Sequence, residues 1–182
     1  ATLREQSSRD PLTGLFNRRY MEESLDREVR RAAREGYGLG ILMADLDNFK
    51  QLNDAFGHAA GDAVLGRIGR FLGAAVRGGD IACRFGGEEF VVILPKASLD
   101  DTRRRAEALR DGIKVHELDE PTRLLPPATM SVGVAVYPDH GTSVEELLLA
   151  ADSAMYRAKA QGRDRVVVAS GSEGRPIEVS AG

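Results

Sequence analysis

Two apolar runs on either side of a pair of glycines restrict the fold more than any other feature of this sequence. The first run, DIACRF, covers residues 80–85, Gly-Gly follows at 86–87, and EFVVILP covers residues 89–95. Apolar runs around Gly-Gly are typical of a β-hairpin, because glycine readily adopts the positive φ angles of tight turns. The sequence therefore predicts an antiparallel strand pair whose turn carries two adjacent acids, Glu88 and Glu89.

The hydrophobic pattern around this hairpin alternates between helical and extended spacing. Apolar residues at intervals of three and four predict helices, and short apolar runs predict buried strands. The order of these segments, α-β-α-α-β-β-α-β-α-β, predicts an α+β fold in which a mainly antiparallel sheet is flanked by helices. The predicted helices cover about 18–35, 49–56, 58–76, 98–117 and 143–161, and the further strands cover 40–47, 128–138 and 164–169.

Local signals mark several of these boundaries. Asn17 can cap the first helix, and either Asp47 or Asn48 can cap the second. Gly36 and Gly162 are placed to end the first and last helices, since glycine adopts the left-handed conformation common at a helix C-terminus. The length of 182 residues fits one domain.

Composition excludes several classes of function. The formal net charge is -3, so no general nucleic-acid-binding surface is expected. No apolar run approaches the ~20 residues of a membrane-spanning helix, so a cytoplasmic domain is expected, with any membrane tether elsewhere in a longer protein. Cys83 is the only cysteine, which excludes a disulfide framework and a cysteine-based zinc site and favours a small buried apolar residue.

The hairpin acids acquire a chemical meaning if another strand lies beside them. Asp45 lies near the end of the apolar run over 40–47, and neighbouring strands would bring it to the same end of the sheet as Glu88 and Glu89. Clustered carboxylates repel one another, and Mg²⁺ or Mn²⁺ with substrate phosphates would remove that repulsion. A solvated hairpin tip explains these residues equally well at this point.

Four ordered segments resemble one family. RFGGEEF, residues 84–90, resembles the signature of GGDEF-domain diguanylate cyclases in its GGEEF form. DPLTGLFNRR at 10–19, DLDNFKQLNDAFGHAAGDAVL at 45–65 and YRAKAQGRDRV at 156–166 resemble further motifs of that family. The resemblance covers roughly residues 8–169. It implies a palm-like βαββαβ core related to nucleotidyl cyclases.

The resemblance implies that two GTP molecules condense to cyclic di-GMP with release of two pyrophosphates. Asp45 and Glu89 match the metal-binding acids of the family, and Glu88 matches an acid assigned to metal contact or to proton removal. The backbone near Leu46 is expected to add a carbonyl ligand, with two Mg²⁺ or Mn²⁺ ions per site. Asp47 is interpreted as a helix cap in preference to a ligand.

Base recognition is expected from Asn53 and Asp62, which match the guanine-reading pair of the family. A carboxylate accepts hydrogen bonds from guanine N1–H and N2–H₂, and adenine lacks that donor pair, so Asp62 predicts GTP specificity. Asp62 follows Gly61, and a helix-cap role is the alternative. The other expected substrate-binding residues are Phe49, Lys50, His58, Gly87, Lys159 and Arg163.

Four of these residues carry further interpretations. Lys159 and Arg163 would share a helix face if the last helix persists to residue 163. His58 is interpreted as a structural hydrogen-bonding residue rather than an acid–base catalyst. Lys50 lies in a short helix whose first N–H groups are expected to face the phosphates.

A second ligand site is expected at Arg77 and Asp80. Their RxxD spacing and offset from GGEEF match the inhibitory product site of the family. Arginine can bond guanine O6 and N7, and aspartate can accept from N1–H and N2–H₂. The alternative is a surface ion pair between the two residues.

The expected partners follow from the family reaction. One GTP per domain requires a second GGDEF domain, so a homodimer is expected. Residues 1–8 are interpreted as the end of an incoming signalling helix from a sensor or coiled coil, 9–169 as the catalytic domain, and 170–182 as a disordered tail. The rival functions are a non-catalytic receptor of GTP or cyclic di-GMP and a cyclase that uses ATP.

Overall fold

The computed structural model describes residues 8–115 and 125–171. Within these ranges the elements follow the predicted order, which is confirmed. The incoming helix and the tail that the sequence predicts fall almost wholly on residues 1–7 and 172–182, outside the described part. The helices are α1 Arg18–Glu35, α2 Phe49–Phe56, α3 His58–Ala75, α4 Leu99–Val115 and α5 Val144–Ala160; the strands are β1 Leu39–Leu46, β2 Ile81–Gly86, β3 Glu89–Pro95, β4 Met130–Tyr137 and β5 Val166–Val168.

The strands form one five-stranded sheet in the order β2-β3-β1-β4-β5. β1 pairs antiparallel with β3 and β4, β2 pairs antiparallel with β3, and β5 pairs parallel with β4. The predicted mainly antiparallel α+β fold is confirmed. Every residue of the central strand β1 is buried, because helices cover both faces of the sheet.

Alternation along β1 divides the interior into two cores. Leu42 and Ala44 point to the side that α3 and α4 cover, while Ile41 and Met43 point to the side that α1 and α5 cover. By the same alternation, Asp45 lies on the α5 side. The sequence thus directs the acid that ends the strand toward the helix that carries a predicted phosphate-binding lysine.

Helix α5 lies directly on the sheet at Gly133 of β4. A methyl group there would overlap the backbone of α5 at Ala151, so only glycine allows this approach. The close packing fixes the height of α5 above the sheet edge.

Most predicted boundary signals act as expected. Asn17 caps α1 by accepting a hydrogen bond from the Tyr20 N–H at 3.0 Å, and Gly36 ends that helix with a φ of 74°. Cys83 is fully buried, as predicted, and burial raises the pKa of its thiol to about 12. No helix in the described residues combines the length and apolarity needed to cross a membrane.

Candidate active site

Two acids from neighbouring strands lie side by side at one end of the sheet, where β1 ends and β3 begins. The antiparallel register of β1 and β3 pairs Asp45 directly with Glu89. Glu88 precedes Glu89, and its carbonyl oxygen accepts a hydrogen bond from the Leu46 N–H at 3.2 Å. Gly87 is exposed in the turn with a φ of 36°. The expectation that the hairpin acids and Asp45 share one end of the sheet is therefore confirmed.

The environment of these acids disfavours their negative charge. Asp45 is 5% exposed, and burial raises the pKa of its carboxyl. Burial, together with the charge of Asp45, raises the pKa of Glu89 as well. Lys159 of α5 places its Nζ 2.7 Å from Asp45 Oδ1 and partly offsets the effect on Asp45. An additional cation at this edge would stabilise both ionised carboxylates.

The donor set fits a divalent cation. Asp45 Oδ1 is buried and, within residues 8–115 and 125–171, has the Lys159 charge beside it but no well-aligned hydrogen bond. Carboxylate oxygens are the ligands that Mg²⁺ and Mn²⁺ prefer. The described residues contain no preformed cluster of three or more acidic, histidine or cysteine side chains. Asp45 and Glu89 would therefore need additional ligands, such as the backbone near Leu46 or substrate phosphates.

The hairpin turn is tied to the opening segment of the domain. Arg84 donates from Nε to the Gly87 carbonyl at 3.0 Å and pairs with Asp10 at 3.2 Å. Thr13 donates its N–H and hydroxyl to the same Asp10 carboxylate at 2.8 and 2.7 Å. Burial raises the pKa of Asp10, but the Thr13 hydrogen bonds and the Arg84 charge outweigh it and hold that pKa below its usual value. This support for the turn was missed by sequence reasoning.

The predicted base-reading residues lie on adjacent helices, Asn53 on α2 and Asp62 on α3. Asn53 Oδ1 is buried without a hydrogen-bond partner in the described part of the chain. A methyl group on Gly61 would overlap this oxygen, so the absence of a side chain there lets the Asn53 amide lie against α3. The alternative that Asp62 caps its helix is wrong, because α3 begins at His58 and Asp62 is exposed well inside it.

Of the two predicted caps of α2, Asn48 is confirmed in its position and Asp47 is wrong. Asn48 occupies the N-cap position with a φ of 57°, and its side chain makes no cap hydrogen bond. The Asp47 carboxylate instead accepts hydrogen bonds from residues 129, 131 and 164. The first N–H groups of α2 therefore lack a side-chain cap and lie beside the exposed Lys50, an arrangement suited to anions.

The closing segment departs from the predicted helix. α5 ends at Ala160, so the expectation that Lys159 and Arg163 share a helix face does not hold. Gly162, Arg163 and Asp164 follow with φ angles of 122°, 65° and 45°. The chain thus turns through the left-handed region between the two predicted phosphate-binding cations.

The remaining predicted substrate residues differ in exposure. Phe49 is half-buried and packs against the core on the α3 side of the sheet. His58 is exposed at the start of α3, and its ring forms no hydrogen bond with the described residues. Its predicted structural role thus has no protein partner there.

A second pocket, of about 560 Å³, surrounds the predicted RxxD residues. Asp80 accepts a hydrogen bond from the Arg77 N–H at 2.9 Å and pairs with Arg105 of α4 at 2.6 Å. The alternative of a surface ion pair between Arg77 and Asp80 is wrong, because Arg105 holds the carboxylate. Arg105 was missed, although the run RRR at 103–105 on a predicted helix was visible. Arg77, Lys96, Arg104 and Arg105 give this pocket an excess of positive charge.

Comparison with known proteins agrees with this geometry. Residues 7–165 match the family described as diguanylate cyclase, GGDEF domain. The chain belongs to the GGDEF-domain family of diguanylate cyclases, and the resemblance seen in the sequence is confirmed.

Individual relatives share the whole domain. The chain is 44% identical over 163 residues to the response regulator PleD of Caulobacter vibrioides and 43% identical over 169 residues to the diguanylate cyclase DgcP of Pseudomonas aeruginosa. These alignments cover 87% and 91% of this chain but only 35% and 24% of the relatives. The chain thus spans about a third or less of their length.

One solved structure extends the likeness to three dimensions. The GGDEF domain of DgcB from Caulobacter crescentus, solved in complex with c-di-GMP, is 30% identical with a TM-score of 0.83. The match covers 92% of this chain and 96% of that domain.

Proposed function

We propose that this domain is a GTP-specific, metal-dependent diguanylate cyclase that condenses two GTP molecules into cyclic di-GMP and two pyrophosphates. The main support is the direct pairing of Asp45 with Glu89 on adjacent strands. Burial is the largest cause of the raised pKa of each carboxyl group. A divalent cation bound between two such carboxylates, with phosphates as further ligands, would offset the repulsion between their negative charges. Membership of the cyclase family supports the same conclusion.

Guanine recognition is assigned to the cleft between α2 and α3. The Asp62 carboxylate accepts from N1–H and N2–H₂, and the buried Asn53 oxygen accepts a further guanine N–H. Gly61 leaves room for the Asn53 amide against α3 and so sets the position of its acceptor oxygen. ATP would leave these acceptors without donors, which is the physical basis of the expected discrimination.

Phosphate binding is assigned to the cations around the sheet edge. Lys50 and the N-terminal amides of α2 approach from one side, and Lys159 and Arg163 approach from the closing segment. When bound at Asp45 and Glu89, Mg²⁺ or Mn²⁺ would neutralise phosphate charge and acidify the attacking 3′-hydroxyl. The family pattern implies two such ions per site.

Each coupling step forms a 3′-O–P bond and breaks the bond between the α-phosphorus and the bridging oxygen. The hydroxyl proton leaves, and pyrophosphate departs with the electron pair of the broken bond. Glu88 is adjacent to Glu89 and is assigned to metal contact or to acceptance of this proton. Because one domain offers one base site, the attacking hydroxyl must come from GTP on a second domain. The active form is therefore a homodimer.

The Arg77 pocket is assigned to the product. Its positive charge, the Arg77 guanidinium and the Asp80 carboxylate provide donors and acceptors for guanine edges and phosphates. The related DgcB domain was solved in complex with c-di-GMP, which supports product binding by this family. Occupancy of this pocket is expected to inhibit the enzyme.

The test is incubation of the protein with GTP and Mg²⁺ over a range of protein concentrations, with cyclic di-GMP followed by mass and pyrophosphate by a coupled assay. Product should rise more than linearly with protein concentration. The double variant Glu88→Ala/Glu89→Ala should form none. Replacing half of the GTP with ATP should yield only the guanine product, and mixed products would indicate a different cyclase.

Absence of product has two explanations that a fused dimeric coiled coil separates. Activity that appears on fusion would show that the domain was unpaired. If the fused domain still forms no product but binds cyclic di-GMP, the proposed cyclase activity is rejected and a receptor domain is indicated.

A further inference from the structure

The carboxylate of Asp47 is occupied by the protein itself. Ser131 donates its hydroxyl to Oδ1 at 2.7 Å, and Thr129 donates its hydroxyl to Oδ2 at 2.8 Å. The backbone N–H of Asp164 donates to the same Oδ2 at 2.9 Å. Three donors use most of the acceptor positions of one carboxylate, so Asp47 is poorly placed to bind a metal as well.

The third donor belongs to an unfavourable stretch of backbone. Arg163 and Asp164 are consecutive non-glycine residues at φ angles of 65° and 45°. Residues persist in this region only where surrounding contacts hold them there. The Asp164 side chain is held separately by Arg110 at 2.8 Å and Lys114 at 2.6 Å, both from α4.

We propose that Asp47 is a positioning residue that fixes the segment over 159–164 against the end of β1. It stands two residues after Asp45, so the backbone that presents the metal-binding acid also anchors the segment that presents Lys159 and Arg163. A short covalent path between the two keeps cations and carboxylates in register around the triphosphate. The inference rests on the proposed binding of GTP at this edge.

The inference differs from a metal-ligand role in what it predicts for kinetics. Loss of an anchor disorders the phosphate-binding cations and weakens nucleotide binding, so KM for GTP should rise while kcat at saturation changes little. Loss of a metal ligand would lower kcat, so the rate would fall even at saturating GTP. A purely structural role would lower stability and leave KM unchanged.

The experiment compares Asp47→Ala and Asp47→Asn with the wild-type chain and with a matched control, Asp26→Ala. Asp26 is a surface acid on α1 whose only recorded partner among the described residues is Arg30. The readouts are hydrogen exchange over residues 159–166 without nucleotide, affinity for 3′-deoxy-GTP with Mg²⁺, and the separate KM and kcat for GTP. The 3′-deoxy analogue lacks the attacking hydroxyl, so it reports binding without turnover.

Asp47→Ala should speed hydrogen exchange over 159–166. It should also weaken 3′-deoxy-GTP binding and raise KM for GTP, each by about tenfold, because about one hydrogen bond to a charged group is lost. Asp47→Asn keeps one acceptor oxygen and should show a smaller change. Asp26→Ala should match the wild type. Ser131→Ala removes the β4 hydrogen bond to Asp47 but keeps the bond between Asp47 and Asp164. Hydrogen exchange over 159–166 should therefore stay at the wild-type rate in this variant.

Unchanged exchange in Asp47→Ala would overturn the anchoring. Faster exchange with unchanged affinity would overturn the link to nucleotide binding, as would a fall in kcat alone. If Asp47→Ala does not fold, Asp47→Asn decides by the same readouts. A wild-type domain that fails to bind 3′-deoxy-GTP would contradict the proposed function itself, while the exchange comparison would still decide the anchoring.

Discussion

The two ends of strand β3 carry sites with opposite electrostatic requirements. At the Glu89 end, burial is the main cause of the raised pKa values of Glu89 and Asp45. Lys159 is the cation beside Asp45. At the Pro95 end, arginines and a lysine outnumber the acids, and Asp80 is already paired with Arg105. Acids therefore outnumber cations among the groups named at the first end, and cations outnumber acids at the second.

This difference gives the two proposed nucleotide sites on one sheet different ligand preferences. A strand of seven residues separates the ends by roughly 20 Å, beyond the Debye length in physiological salt. A nucleotide bound with its metal suits the acidic end, and a metal-free cyclic dinucleotide suits the basic end. Each end can therefore be altered without the other.

Asp45→Asn should have the largest effect. It removes a buried charge from the proposed metal site, so cyclic di-GMP formation should fall more than about 100-fold, as is usual when electrostatic stabilisation of a transition state is lost. Initial rates measured with GTP and Mg²⁺ check this. Cyclic di-GMP binding measured by calorimetry should be unchanged, and a parallel loss there would show that the two ends are not independent.

Arg77→Ala should act only at the other end. A lost bidentate contact to guanine should weaken cyclic di-GMP binding about 10- to 100-fold, while initial rates without added product stay at the wild-type level. Inhibition curves with added product provide the measurement. Arg103→Ala is the control, because Arg103 is exposed on α4, pairs with Asp100 and does not line the pocket. Inhibition that survives intact in Arg77→Ala would remove the proposed product site.

Gly61→Ala should raise KM for GTP by about tenfold, because the added methyl group displaces the Asn53 oxygen and one guanine hydrogen bond is lost. The matched control is Gly66→Ala on the same helix, where the nearest atoms to the new methyl would be 3.6 Å away. That variant should keep KM and gain slightly in stability. Equal KM values for the two variants would argue against the base site.

The smallest expected effect is on the stability of the metal-free domain, which Glu89→Gln tests apart from its loss of activity. Burial, with the Asp45 charge, raises the folded-state pKa of Glu89, so its contribution to stability is present below about pH 4.3 and is lost as pH rises through the folded pKa. The variant should therefore melt higher than the wild type at pH 7 and lose that advantage at pH 4. Thermal melts without metal measure this, with Glu23→Gln on the exposed face of α1 as control. An advantage that grows toward low pH would reverse the assigned sign.

The sequence predicted the order and most boundaries of the elements because those depend on local periodicity and on residues such as Asn17 and Gly36. The approach of Asp45 to Glu89 was also predictable, since the hairpin and the family motifs constrain it. The partners of Asp47 were not predictable. Its bond to Asp164 joins residues 117 positions apart, and no local pattern encodes such a contact.

The same limit applies to the other differences. Arg105 pairs with Asp80 through the packing of α4, which the RxxD spacing does not report. Gly162 predicts the end of the last helix, but the left-handed φ angles of Arg163 and Asp164 accompany a long-range hydrogen bond to Asp47 that no local pattern reports. Local patterns thus identified the candidate site residues, and long-range contacts determined how those residues are held.

The position of each site in the sheet has a consequence for how the domain fails under stress. Asp45 belongs to β1, which is hydrogen-bonded on both sides, whereas Arg77 and Asp80 lead into β2 at the sheet edge. Edge elements open at lower free energy than central ones. Under the proposed function, a warmed or mildly denatured domain should therefore lose the proposed feedback inhibition before it loses synthesis of cyclic di-GMP.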